Sequence, residues 1–149
     1  MFEIFRISLF GHRNFEEYTT VEKGINTVLT EVLCKEECVE IYTGRNGEFD
    51  IFSASVIKCF LRSRENKNCE LTLVLPYTVK DIDYYQEYYD NVIVPIKTHP
   101  KAAITSRNKW MVENSDLVLV YVKNSHGGAY EAMRYAEKLN KKIINLAQP

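Results

Sequence analysis

Along this chain, short apolar runs alternate with segments in which apolar residues recur every three or four positions. The runs are Glu3 to Phe10, Val39 to Tyr42, Glu70 to Leu75, Val92 to Ile96, Leu117 to Val122 and Lys142 to Leu146. Leu117 to Val122 shows no polar alternation, which predicts a strand buried on both faces, as in the middle of a parallel sheet. Between the first two runs, Val21, Ile25, Val28, Leu29, Val32 and Leu33 keep a 3.6-residue period, predicting a helix that opens at Tyr18. A second helix is predicted from about Asp50 to Ser63, with Ile51, Phe52, Val56, Ile57, Phe60 and Leu61 on its buried face. Trp110 and Met111 mark a helix over Ser106 to Asn114, and Met133, Ala136 and Leu139 line another over Ala129 to Leu139. Tyr77 to Asp90 holds one short helix whose spacing turns Tyr85, Tyr88 and Tyr89 inward. The same tyrosine-rich segment would also suit a wall for a nucleobase.

Strand and helix therefore alternate with short connections. That order predicts an α/β fold, a Rossmann-like three-layer sandwich around a mostly parallel sheet with right-handed crossovers. No repeat, linker or low-complexity tract divides the chain, so residues 1–149 are read as a single domain. In such sheets ligands bind beyond the carboxyl ends of the strands. Four loops fall there: Gly11 to Asn14, Gly44 to Asp50, the segment after Pro76, and Lys123 to Gly128.

Composition narrows the partners. A hydrophobic content of 46 % in 149 residues supports a genuine core. The formal net charge of −1 provides no global attraction for nucleic acid, which makes nucleic acid an unlikely partner and requires any anion binding to be local. No apolar run approaches the ~20 residues that cross a bilayer, so no membrane association is expected. The start, Met1-Phe2-Glu3-Ile4-Phe5-Arg6, has no basic segment followed by an apolar one, and a cytoplasmic protein is expected. Cys34, Cys38, Cys59 and Cys69 lack zinc-site spacing and read as reduced thiols, with no metal expected.

The loops offer specific chemistry. Ser125-His126-Gly127-Gly128 connects the buried strand to a helix, placing backbone N–H groups and a positive helix end at the strand's carboxyl end. Such a turn suits phosphate, although the same sequence also serves as a tight connection. Arg13, Arg45 and Arg107 could present guanidinium forks to that phosphate or stand solvated at the surface. Asp50 could cap the second helix or accept from a ribose hydroxyl. Glu131, in the first turn after Gly127-Gly128, is favoured by the helix dipole and points toward the same mouth. His12 and His126 have no Ser or Cys partner from which a triad could be built. The dinucleotide pattern G-x-G-x-x-G is absent after the first strand, which argues against a plain NAD dehydrogenase, and no cofactor is expected.

Arg107-Asn108-Lys109, then Asn114-Ser115-Asp116 leading a buried strand, then Gly127-Gly128 and Tyr135-Ala136, resemble the SLOG superfamily. That group includes the LOG phosphoribohydrolases, the DNA-processing protein A group and the YpsA-like proteins. Phe10-Gly11-His12-Arg13 and Thr43-Gly44-Arg45-Asn46-Gly47-x-x-Asp50 are similar to the YpsA-like branch. The resemblance implies a sheet that binds a nucleotide or an ADP-ribose-like ligand as a sensor or binding module. It implies ligand contacts from Gly11, His12, Arg13, Gly44, Arg45, Gly47, Asp50, Arg107, Asn108, Ser125, Gly127, Gly128 and Ala129. The alternative it implies is a phosphoribohydrolase acting on nucleoside monophosphates, with Arg107 and Glu131 serving N-glycosidic cleavage. Asn124 to Glu131 departs from the enzymes' pattern by lacking its proline, its threonine and its spacing.

Trp110, Met111, Tyr130, Met133 and Tyr135 are more large residues than one face of a strand covers. Together with the resemblance they predict a homo-oligomer, most simply a two-fold dimer. Burial of Trp110 and Met111 under Tyr84 to Tyr89 is the alternative.

Overall fold

A computed structural model describes residues 3–64 and 68–147; Met1 and Phe2, part of the amino-terminal stretch read above, lie outside the described residues. Six strands alternate with helices: β1 (Ile4–Gly11), α1 (Tyr18–Lys35), β2 (Cys38–Thr43), α2 (Glu48–Arg62), β3 (Cys69–Val74), α3 (Ile82–Tyr88), β4 (Asn91–Ile93), α4 (Ala103–Glu113), β5 (Leu117–Tyr121), α5 (Gly128–Lys138) and β6 (Lys142–Asn145). All strand pairs are parallel, in the order β4-β3-β2-β1-β5-β6. The chain builds outward from β1 to β4, then returns to the other side of β1 for β5 and β6. The switch point therefore lies between β1 and β5, where Ile7 pairs with Leu117 and Gly11 with Tyr121.

Both faces of the sheet are buried, which is why the central strands show no polar alternation. In β1, Ile7 and Leu9 join the core cluster under α1 and α2, while Phe10 joins the cluster under α4 and α5. In β5, Leu117, Leu119 and Tyr121 face the first cluster, and Val118 and Val120 the second. Ser8 is fully buried among apolar neighbours, and its hydroxyl is satisfied by Ser115 and by the Met111 carbonyl. Ala129, Ala132 and Ala136 form the buried stripe of α5. Among the described residues, no helix is long and apolar enough to cross a membrane.

The observed elements differ from the expected ones where local caps or edges decide. The helix expected from Ser106 starts at Ala103, behind a 3-10 turn over Pro100–Ala102. His99 caps that turn by accepting from the Lys101 N–H, and Pro100 supplies the preset φ of a first helical position. β4 stops at Ile93, two residues before Pro95, as an edge strand. α3 buries none of its residues, and Tyr88 remains 36 % exposed. The buried tyrosine is Tyr89, one residue past the helix end. Tyr85 is half-buried against the first core cluster, so the short helix lays that ring on the core and leaves Tyr88 toward solvent.

Met111 and Trp110 fill the core on the α4 side. Met111 is buried in the second cluster, and Trp110 packs against it with its ring 5.2 Å from that of Tyr42. Neither lies under the α3 tyrosines. Tyr130, Met133 and Tyr135 are half-buried and pack against the same cluster.

Phe49 joins the layers at the carboxyl end. Its ring is fully buried, stacks on Tyr121 at 6.0 Å and meets Phe15 edge-on at 5.8 Å. Phe49→Ala should cost about 3–5 kcal/mol in urea unfolding. A loss below about 1 kcal/mol would mean the site collapses around the missing ring with almost no cavity.

Candidate functional site

The loops after β1, β2 and β5 meet the inner face of α4 around a cavity of about 470 Å³. This lies within the range of small-ligand sites. Gly11, His12, Arg13 and Asn14 form one wall, and Gly44, Asn46, Gly47 and Asp50 a second. Arg107, Asn108 and Ile104 come from α4, and Asn124 and His126 to Ala129 from the loop after β5 and the start of α5.

Arg107 is the unusual member, a guanidinium only 4 % exposed. A cation in that setting is costly unless hydrogen-bonded. Its Nη1 donates to the Val74 carbonyl at 2.7 Å and its Nε to Asn108 Oδ1 at 2.8 Å. Its remaining nitrogen, Nη2, has no acceptor among the described residues. Gly44 makes room for this group. A Cβ there would stand 2.9 Å from Arg107 Nη1 and 3.1 Å from Asp50 Oδ2.

α2 begins at Glu48 behind Gly47, so Asp50 lies in the first turn rather than at the cap position. Asp50 accepts from the Asn46 N–H at 3.0 Å and holds the loop in place. Burial raises its pKa, opposed by the Asn46 N–H and by the charge of Arg107. Burial lowers the pKa of Arg107, with Asp50 pulling the other way.

His12 ties the two switch-point loops together. Its Nε2 accepts from the backbone N–H of Lys123 at 2.8 Å and of Asn124 at 3.1 Å. Accepting twice at Nε2 assigns a neutral ring with its proton on Nδ1. Burial holds its pKa below the ordinary histidine value, and the charge of His126 adds to the depression. Lys123 is anchored further by Glu17, Nζ to Oε1 at 2.6 Å. That contact comes first among the causes that lower the Glu17 pKa. The loops after β1 and β2 also touch, with the Glu48 N–H donating to the Arg13 carbonyl at 2.8 Å.

Gly127 precedes α5 with φ 98°, a left-handed value that favours glycine. Beyond it, the N–H groups of Gly128 and Ala129 belong to the open first turn of α5 and find no acceptor among the described residues. Both residues line the cavity together with Arg107. The arrangement offers the buried guanidinium of Arg107, the exposed one of Arg13 and a helix terminus, the donors that an anion requires. Among the described residues, no group of three or more His, Cys, Asp or Glu could hold a metal ion.

Of the residues expected at the site, Gly11, His12, Arg13, Gly44, Gly47, Asp50, Arg107, Asn108, Gly127, Gly128 and Ala129 line this cavity. Three do not. Ser125 is absent from the lining although its neighbours Asn124 and His126 contribute. Arg45 turns to the opposite side of its loop, its guanidinium 4.9 Å from the Tyr85 ring and its Nη1 3.4 Å from the Tyr89 hydroxyl. Glu131 lines a separate groove between α4 and α5, beside Lys109 and Arg134. Asn14, Asn46 and Asn124 were not anticipated, yet each belongs to a loop that the glycines had already marked.

No family model matches the chain, and no curated protein matches it. Its fold recurs in solved structures. DNA processing protein A from Streptococcus pneumoniae superposes with a TM-score of 0.68 at 16 % identity, covering 94 % of this chain and 49 % of that one. DNA processing protein A from Helicobacter pylori, described in its single-stranded DNA binding mode, superposes with a TM-score of 0.61 at 16 % identity, covering 93 % and 63 %. The chain thus spans about half to just under two thirds of these proteins. The likeness shows a Rossmann-like fold shared with a group named within the SLOG resemblance, and it lends no support to the narrower YpsA-like branch.

The exclusion of nucleic acid is corrected by the second of these structures, because a protein of this fold is described binding single-stranded DNA. Whole-chain charge sums over the entire surface, whereas contact with a phosphate is decided by a few local donors.

The His12 clamp generates a pH prediction. A lowered folded-state pKa means that the unfolded chain takes up the proton first as the pH falls. The contribution is therefore complete above the unfolded value of about 6.5 and is lost as the pH drops from there toward the lowered folded value. Urea unfolding from about pH 8 down to 5 should show this loss in the wild type, and His12→Ala should flatten that part of the profile. Equal profiles for the two proteins would mean that Nε2 is not a working acceptor.

Proposed function

We propose that the cavity holds the phosphate of a nucleotide unit, making the chain a binding module for a nucleotide or a nucleotide-derived, ADP-ribose-like ligand. One observation carries this reading. A buried guanidinium whose Nη2 has no acceptor among the described residues lines the same cavity as the first turn of α5. A phosphate there would receive charge-assisted hydrogen bonds from both. Asp50 stands beside Arg107 as an acceptor for a ribose hydroxyl. The proposal takes residues 1–149 as one domain of the YpsA-like branch, working in the cytoplasm, where four free thiols are at home.

A single strand of nucleic acid presents the same phosphate, and the Helicobacter pylori likeness favours it as a second reading. The phosphoribohydrolase reading lacks its carboxylate, since Glu131 lies in the α4–α5 groove and Asp50 is the one acid lining the cavity among the described residues.

Calorimetric titration with AMP, ADP and ADP-ribose, and a gel shift on single-stranded DNA at low salt, test the proposal. Binding in either assay should weaken about tenfold or more in Arg107→Met, the weight of a hydrogen bond to a charged group. Melting curves check that the variant folds. If no nucleotide and no strand binds the wild type, the proposal fails. Binding undiminished in a folded Arg107→Met protein would move the phosphate elsewhere.

A further inference from the structure

On the far side of the β2–α2 loop from the phosphate cavity lies a second concavity of about 510 Å³, between α3 and the exposed face of α2. Tyr84, Tyr85 and Tyr88 form one wall, and Tyr18, Ile51 and Phe52 the other. Packing accounts for only part of this lining: Tyr85 and Phe52 lie half-buried against the core, and the others stand exposed. α3 buries none of its residues, Tyr84 is 64 % exposed, and Tyr18 and Ile51 are each 48 % exposed. Large rings left in water around a cleft are placed for a ligand rather than for the core.

Arg45 specifies the chemistry. Its guanidinium lies 4.9 Å from the centre of the Tyr85 ring, and the Tyr89 hydroxyl accepts from its Nη1 at 3.4 Å. The loop divides its residues across the partition. Gly44, Asn46 and Gly47 line the phosphate cavity, while Arg45 and Glu48 line the aromatic cleft. A wall one backbone thick thus separates a site for an anion from a site rich in flat faces. Phosphates and planar rings joined by a short covalent path are the two halves of a nucleotide chain.

We propose that the aromatic cleft is a stacking subsite for a nucleobase of the ligand whose phosphate occupies the main cavity. The proposal rests on the phosphate reading of that cavity and adds to it the source of base affinity. Stacking on tyrosine and guanidinium faces tolerates any base, because every base has a π-face. The subsite therefore strengthens binding without selecting a sequence.

The test compares two single strands of equal length, an oligothymidylate and its abasic phosphodiester analogue, by fluorescence anisotropy at fixed low salt. The wild type should bind the oligothymidylate more tightly. Tyr84→Ala and Tyr85→Ala should weaken that binding about tenfold, the weight of one stacked base, and leave the abasic strand unchanged. Tyr84 is exposed enough for its removal to spare the fold, and melting curves verify this for both variants. Equal wild-type affinity for the two strands overturns the cleft proposal, as does an equal loss on both strands in the variants. If neither strand binds the wild type, the cleft proposal falls together with the phosphate reading in its nucleic-acid form. If the abasic strand binds and Arg107→Met abolishes it while the tyrosine variants have no effect on either strand, only the cleft proposal falls.

Discussion

A guanidinium taken out of water has to be held on several sides, and the carboxyl end of this sheet is built around holding one. Arg107 reaches from α4 to the carbonyl at the end of β3 and packs against the glycine at the end of β2. Three elements from different parts of the chain are thereby drawn to one point. The charge requirement explains features that would otherwise look unrelated. The loop after β2 opens with a glycine because a methyl group there would sit against the cation. A carboxylate sits beside that glycine because an unaccompanied cation would be expensive at this depth.

Strand order supplies the rest. Reversal of the winding at β1 leaves the loops after β1 and β5 side by side, with no helix between them. Two adjacent loops still have to be kept together, and a neutral imidazole does this by accepting twice from backbone. The clamp holds Lys123 and Asn124, at the start of the loop that leads into α5. Cation, carboxylate and helix terminus are positioned by contacts between loops rather than by any one of them.

Much of this was legible in the sequence. Periodicity marked the strands and most helices because burial on two faces and on one face leave different spacings. Glycines beside polar residues after β1, β2 and β5 located the cavity, since parallel topology brings those loops to one end. What escaped notice turns on direction. Arg45 was grouped with Arg13, but its side chain leaves the loop on the side away from the cavity, toward the α3 tyrosines. Glu131 was placed at the mouth, yet it follows Ala129, which lines the cavity, by two steps of about 100°, and that puts its side chain on the other side of α5. The burial of Arg107 could not be read from the chain, because a guanidinium in sequence carries no mark of its depth. Net charge misled for a related reason, as a sum over the surface says nothing about one cavity.

The β2–α2 loop is a partition with its residues divided between two compartments. Its inner side is tied to the loop after β1 through the Arg13 carbonyl, and its outer side to α3 through Arg45 and Tyr89. A backbone that is the common wall of two spaces cannot be displaced on one side without altering the other. An occupant of one compartment that shifted this loop would change the affinity of the other compartment, and the effect would be returned in equal measure.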